Sequence, residues 1–263
     1  MFTPRAYRSI AFCSIVFLIL STNIANAITI VVPNVDTNVD TGGANAFLFG
    51  DTNSQRSEQV YSSDQFASLT GPEYITQIAF RPSVFFSAGP FTATFSDIQV
   101  DLSTTLKTPD NLSLTFANNI GSDDTTVLHG PLAISSTATG SPTNFSIIVP
   151  FTTPFLYDPS KGNLLLDVRN FSGASQLFFM QIDGVFGDSI SRVYTNAQLN
   201  DVNNPTAFGS DTVGLVTQFT TVPVTQPVPE PSTVVLLCLG IAAFAIAQWL
   251  RKRKSQPLEG AIG

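Results

Sequence analysis

The sequence predicts an all-β protein: an antiparallel, jelly-roll-like β-sandwich, with an N-terminal signal peptide ahead of it and one C-terminal transmembrane helix behind it. Three observations carry this. Short runs alternate apolar and polar residues along most of the chain, and turn-forming clusters separate them. No convincing amphipathic helix breaks that pattern between Ile28 and Thr221. Both chain ends carry apolar runs flanked by cations.

The N-terminal element comes first. Arg5 and Arg8 precede "SIAFCSIVFLIL", and "STNIANA" follows it. A basic start, a short apolar run and small residues at Ala25 and Ala27 make a secretory signal peptide over 1–27, cleaved after Ala27. Cys13 lies in the middle of the apolar run, so it does not read as a lipoprotein cysteine.

The exported domain spans 28–222. Its only candidate cysteines fall outside it, Cys13 in the leader and Cys238 in the tail. Disulfides, thiol nucleophiles and cysteine-ligated metals are therefore excluded there, and the fold rests on its core. About 200 residues are enough, because a domain of that size buries roughly 70% of its chain surface. Between Ile28 and Gln226 six cations face seventeen acidic residues, a net of −11. Such a surface repels nucleic acid and anionic headgroups.

Its strands follow from period-two alternation. "DIQVDLS" sets Ile98, Val100 and Leu102 on one face, and "NLSLTFA" does the same with Leu112, Leu114 and Phe116. "NFSIIVP" gives Phe145, Ile147 and Val149, and "NLLLDVR" gives Leu164, Leu166 and Val168. Turns separate them at "KTPDN" (107–111), "GSDD" (121–124), "TGSPTN" (139–144) and "DPSKGN" (158–163). Roughly a dozen strands result. The segment 32–50, rich in Asn, Asp and Gly, reads as an irregular cover, and Phe-rich 83–95 as a bulged strand pair.

Candidate chemistry within the domain is sparse. His129 is the only histidine. It reads as a turn residue beside Gly130-Pro131, since no G-x-S-x-G elbow exists to make a triad. One histidine excludes a histidine-based zinc site. Glycoside hydrolysis needs two carboxylates at a set separation; Asp97 and Asp101 flank one strand, where solvated Asp is the ordinary case. Calcium is the ion with candidate ligands: Asp36, Asn38 and Asp40 alternate in "DTNVDTGG", and Asp123 and Asp124 share a turn. An EF-hand is rejected, because Thr41 stands at loop position six and Phe47 at position twelve. No other cofactor is expected.

The tail comes last. "TTVPVTQPVPEPST" has prolines at 223, 227, 229 and 231, so 223–232 predicts an extended spacer. Thr233 to Leu250 is an eighteen-residue apolar run. As a helix it spans about 27 Å, enough for a slightly thin bilayer core. Trp249 sits at its end, and Arg251, Lys252, Arg253 and Lys254 stop it on the cytoplasmic side, ahead of a tail to 263. The leader then places the domain outside and the tail inside.

These three parts resemble a PEP-CTERM sorting signal: Pro229-Glu230-Pro231, a transmembrane helix, a basic cluster. The resemblance covers 228–254. It implies recognition and cleavage by exosortase, a membrane-embedded transpeptidase-like enzyme of Gram-negative bacteria that make exopolysaccharide. The nine residues from Ser255 to Gly263 are longer than the extension such tails usually have. The domain also resembles an extracellular all-β type attached to such tails, through "QVYSSDQF", "ITQIAFRP", "SDIQVDLSTT", "LTFANNIGSDDTTVLHGPL" and "GNLLLDVRNFSG". That likeness implies architecture and no activity. The expectation is a non-catalytic protein that uses the export machinery and exosortase. It would be held in the inner membrane by 233–250 until processed, and then reach the cell surface, the envelope or the exopolysaccharide and biofilm matrix. Extracellular polysaccharide is the further expected partner. The rival is an extracellular carbohydrate-binding or carbohydrate-hydrolysing protein.

Overall fold

Alternation becomes strand wherever a second apolar surface is available to cover it. A computed structural model describes residues 27–41, 43–45, 52–84, 90–137, 139–175, 182–187, 189–196 and 198–224, together with 240, 244, 246, 248 and 251. Among the described residues thirteen strands form, and every pairing among them is antiparallel. They are β1 (Ile28–Val32), β2 (Gly43–Asn45), β3 (Gln55–Tyr61), β4 (Glu73–Phe80), β5 (Phe91–Thr105), β6 (Thr125–Ser136) and β7 (Ile147–Tyr157). The rest are β8 (Asn163–Asn170), β9 (Ile182–Phe186), β10 (Ile190–Tyr194), β11 (Gly209–Asp211), β12 (Val213–Leu215) and β13 (Thr217–Pro223).

Two sheets hold the core between them. One has the order β1-β13-β4-β7 and the other β11-β10-β3-β8-β5-β6; a small third sheet, β12-β9-β2, adds to them. Most residues that alternation assigned inward meet here, whereas Phe145 lies ahead of β7, half-buried, with the Arg81 guanidinium 4.9 Å from its ring centre. Ile98, Val100, Leu102, Leu164, Leu166 and Val168 from the six-stranded sheet pack with Ile75, Ile78, Phe80, Ile147, Val149 and Phe219 from the four-stranded one. Tyr61 crosses the gap edge-on to Phe219 at 5.0 Å, and its hydroxyl meets Thr217 Oγ1 at 2.8 Å. A buried phenol needs such a partner, and this one links the two sheets.

The sheet edges are managed by composition. β7 is an edge strand and carries Pro150 and Pro154, which cannot extend a ladder. "DPSKGN" forms a single 3₁₀ turn over Pro159–Lys161, capped by Asp158, whose Oδ1 accepts from the Ser160 N–H at 3.1 Å. It joins strands of different sheets.

Two local expectations change. "NLSLTFA" is not a strand: it runs irregularly into a 3₁₀ turn at Phe116–Asn118, with one bridge from Thr115 to Thr206. Its apolar residues do not share a face, for Leu114 is 46% exposed while Phe116 is fully buried. The segment lies across the outer face of the six-stranded sheet instead of joining it. His129 is in β6, and the strand continues through Gly130, which takes φ +128°. In the Asn- and Asp-rich segment the cover is irregular as expected, apart from one 3₁₀ turn (Asn34–Asp36) and the short β2. Residues 85–89 of the Phe-rich stretch lie outside the described residues.

Candidate functional site

The densest polar arrangement is on the outer face of the six-stranded sheet. Register puts Glu58, Asp167, Asp101 and Thr126 in one row across β3, β8, β5 and β6. The next row holds Arg56, Arg169, Gln99 and His129. Like charges thus stand directly opposite one another, which destabilises a bare sheet.

Diagonal bonds resolve this. Arg56 grips Asp167 with both ends of its fork, Nε to Oδ1 at 3.0 Å and Nη2 to Oδ2 at 2.6 Å. The same Nη2 donates to Glu58 Oε1 at 3.1 Å, and Arg169 Nη2 donates to Asp167 Oδ2 at 2.9 Å. Gln99 Nε2 donates to Asp101 Oδ2 at 2.7 Å, and Thr126 Oγ1 to Asp101 Oδ1 at 2.6 Å. From the covering segment, Asn119 Nδ2 donates to Glu58 Oε2 at 2.7 Å, while the Arg56 guanidinium lies 4.2 Å from the Phe116 ring centre. That stacking and forked pairing need arginine; lysine offers neither.

Three carboxyls and two guanidiniums leave one negative charge too many for a buried row. Glu58 absorbs it. Its pKa is pushed up to about 8, by burial first and by Asp167 second, against the opposing pull of Asn119, Arg56 and Arg169. At neutral pH Glu58 therefore keeps its proton and the row is balanced. At the open rim, Asp124 is raised to about 6 by desolvation, then by Asp101 and Asp167, although it stands at the surface.

This row is not a cleft. Glu58, Asp101 and Asp167 are at most 2% exposed, and Glu58 and Asp167 share Arg56 beneath Phe116. A separate shallow pocket of about 190 Å³ is lined by Asp110, Ser191, Arg192 and Asp211. There Arg192 holds both Asp211 oxygens, at 2.8 and 2.9 Å.

The predicted calcium ligands are not brought together. In "DTNVDTGG" the oxygens do converge on a cation, but it is Arg81. Its fully buried guanidinium donates to the carbonyls of Asp36 (2.7 Å), Thr37 (3.2 Å) and Val39, and to Asp183 Oδ2 at 2.7 Å. The Asp40 carboxylate turns to the Val84 N–H at 2.7 Å, and Asn38 is exposed. Asp123 Oδ1 accepts from the Thr104 N–H at 2.7 Å, and Asp124 faces solvent. Among the described residues no group of three or more His, Cys, Asp or Glu is placed to hold a metal ion. His129 Nε2 lies 3.3 Å from Asp97 Oδ1, both half exposed on the surface.

Sequence reasoning missed the buried row and the Arg81 clamp. Arg56 and Glu58 do alternate with Ser57 and Gln59, but a polar residue in alternation reads as solvent-facing. The signal available was the concentration of domain cations: Arg56, Arg81, Arg169 and Arg192, four of six, lie on or beside strands.

Gly240, Phe244, Ile246, Gln248 and Arg251 have helical backbone. Among the described residues no helix is long and apolar enough to cross a membrane. Ala25, Pro229, Glu230, Pro231, Lys252, Arg253 and Lys254 lie outside the described residues; Ala27 is described and exposed, directly before β1. β13 runs through Pro223, so the last strand ends four residues before Pro227.

No curated protein and no solved structure matches this chain. A family model described as the PEP-CTERM protein-sorting motif matches residues 227–253. The chain therefore carries a PEP-CTERM sorting signal at its C-terminus, and that signal implies an exported protein processed by an exosortase-type enzyme.

Proposed function

We propose that this is a non-catalytic protein of the cell surface or the exopolysaccharide matrix of a Gram-negative bacterium. The β-sandwich is the cargo and the tail its address. A signal peptide over 1–27 exports it, the helix 233–250 holds it in the inner membrane, and exosortase cuts near Pro229-Glu230-Pro231 to release it outward. The match at 227–253 is the observation that carries this reading.

The parts divide the work. Pro231 disfavours helical backbone at Glu230 and Pro229 fixes its own φ, so the motif is presented extended. The helix sets its depth, and Arg251 to Lys254 keep the helix from sliding outward. The non-catalytic part of the reading draws support from the buried row. Its carboxyls are spent on Arg56, Arg169, Asn119, Gln99 and Thr126.

The test is Glu230→Ala in an exosortase-competent host, followed by fractionation and gel mobility. The variant should be exported yet remain membrane-held and full length. Normal cutting and release would reduce the tail to an anchor.

A further inference from the structure

The outer face of the four-stranded sheet differs from the rest of this acidic domain. Register places Thr29 and Val31 of β1, Gln218, Thr220 and Val222 of β13, Tyr74, Gln77 and Ala79 of β4, and Ile148, Pro150 and Leu156 of β7 on it. None of these residues is charged, in a domain that carries −11. At one end of the face the side chains are apolar: Val222, Tyr74 and Leu156 are in register across three strands. Leu156 is 46% exposed.

This is also where the chain leaves the domain. β13 ends at Pro223, one residue past Val222, and β1 begins at Ile28, one residue past the predicted cleavage site. Between Pro223 and Thr233 lie nine residues. In polyproline II geometry the ten steps from Pro223 to Thr233 span about 31 Å. A helix anchored at Thr233 therefore keeps this end of the sheet within reach of the bilayer surface.

We propose that in the anchored precursor this end of the sheet rests on the membrane, with Tyr74, Leu156 and Val222 in the lipid interface. The inference rests on the anchor reading above. The physical case has three parts. Contact through these three side chains themselves buries no charged group. A tyrosine presents an apolar body and a polar hydroxyl, which suits the interface. The tether supplies a high local concentration, so the contact needs little affinity of its own. The acidic remainder of the domain, turned away, is repelled by anionic headgroups and favours this orientation. The consequence is that the extended motif is held beside the membrane instead of swinging freely.

The experiment uses the full chain in phosphatidylcholine vesicles, in a Cys13→Ser/Cys238→Ser background. Leu156→Cys carries an environment-sensitive fluorophore, and Phe208→Cys, 68% exposed on the other sheet's side, is the control. Emission from position 156 should shift to the blue on reconstitution and be quenched by spin-labelled lipid, while position 208 is unchanged. Equal solvent exposure at both positions in chains that float with the vesicles overturns the contact and leaves the anchor standing. Failure to float overturns the anchor reading and the contact with it. A blue shift at 156 that lipid-borne quencher does not touch means a second copy covers the face, and also overturns the proposal.

Discussion

Glu58 is the residue whose proton the domain depends on. Its carboxyl is raised from 4.5 to about 8, so the folded state binds a proton between those values that the unfolded state has released. Stability must then fall as pH rises across that window, and the contribution is lost once pH passes about 8. Asp124, raised to about 6, adds a smaller loss in the same direction at lower pH. Melting curves from pH 5 to pH 9 should show a decline of roughly 2–4 kcal/mol. Glu58→Gln, which keeps the shape without the titration, should flatten that decline and be the more stable protein at pH 9. A variant that melts in parallel with the parent at every pH would show that Glu58 is not the group responsible. Arg81 poses the opposite case, for its charge is permanent. Arg81→Ala leaves Asp183 buried and three carbonyls without their donor, so it should cost about 3–5 kcal/mol. Because this guanidinium already fills the oxygen cage of 36–40, millimolar calcium should leave the melting temperature where it is. A rise by mass action would place a calcium site in the domain after all.

Among elements, the segment between β5 and β6 sets the character of the outer face. It supplies Phe116 and Asn119 and closes over the charged row. Gly121 lets it pass close to the sheet, since a Cβ there would meet the Thr104 carbonyl oxygen at 1.9 Å. Phe116→Ala should cost about 3 kcal/mol as a core truncation. It should also flatten the pH dependence, because water admitted to Glu58 lowers its pKa toward the ordinary value. A loss of stability with the pH profile intact would mean that the cover does not control the row. Here the sequence was readable in one direction only. "NLLLDVR" and "DIQVDLS" gave their core faces correctly because both neighbours of β5 and β8 continue the sheet. "NLSLTFA" has the same alternation, but no strand lies beside it, and one apolar residue, Phe116, is used against an arginine instead. Period two reports which residues share a face. It does not report whether a neighbour exists to pair with, nor whether the polar face is later covered.

For the whole molecule, the partition of charge and cysteine legible in the sequence organises the account. A domain without cysteine should show a β-dominated far-UV circular dichroism spectrum and a melting temperature indifferent to reductant. A helical spectrum would contradict the sandwich. The Arg81 clamp and the buried row were not legible, because both bring together residues roughly 40 to 110 positions apart, through pairings that alternation cannot specify. The tail was legible, because its signal is local: a motif, an apolar run and four cations in order. Its central claim is that exosortase removes it, and the most direct measurement is the mass of the mature protein's C-terminus, taken from the producing bacterium. The expected result is a chain that begins at Ile28 and ends near Pro229-Glu230-Pro231, lacking 233–263. A mature protein that still ends at Gly263 would contradict it.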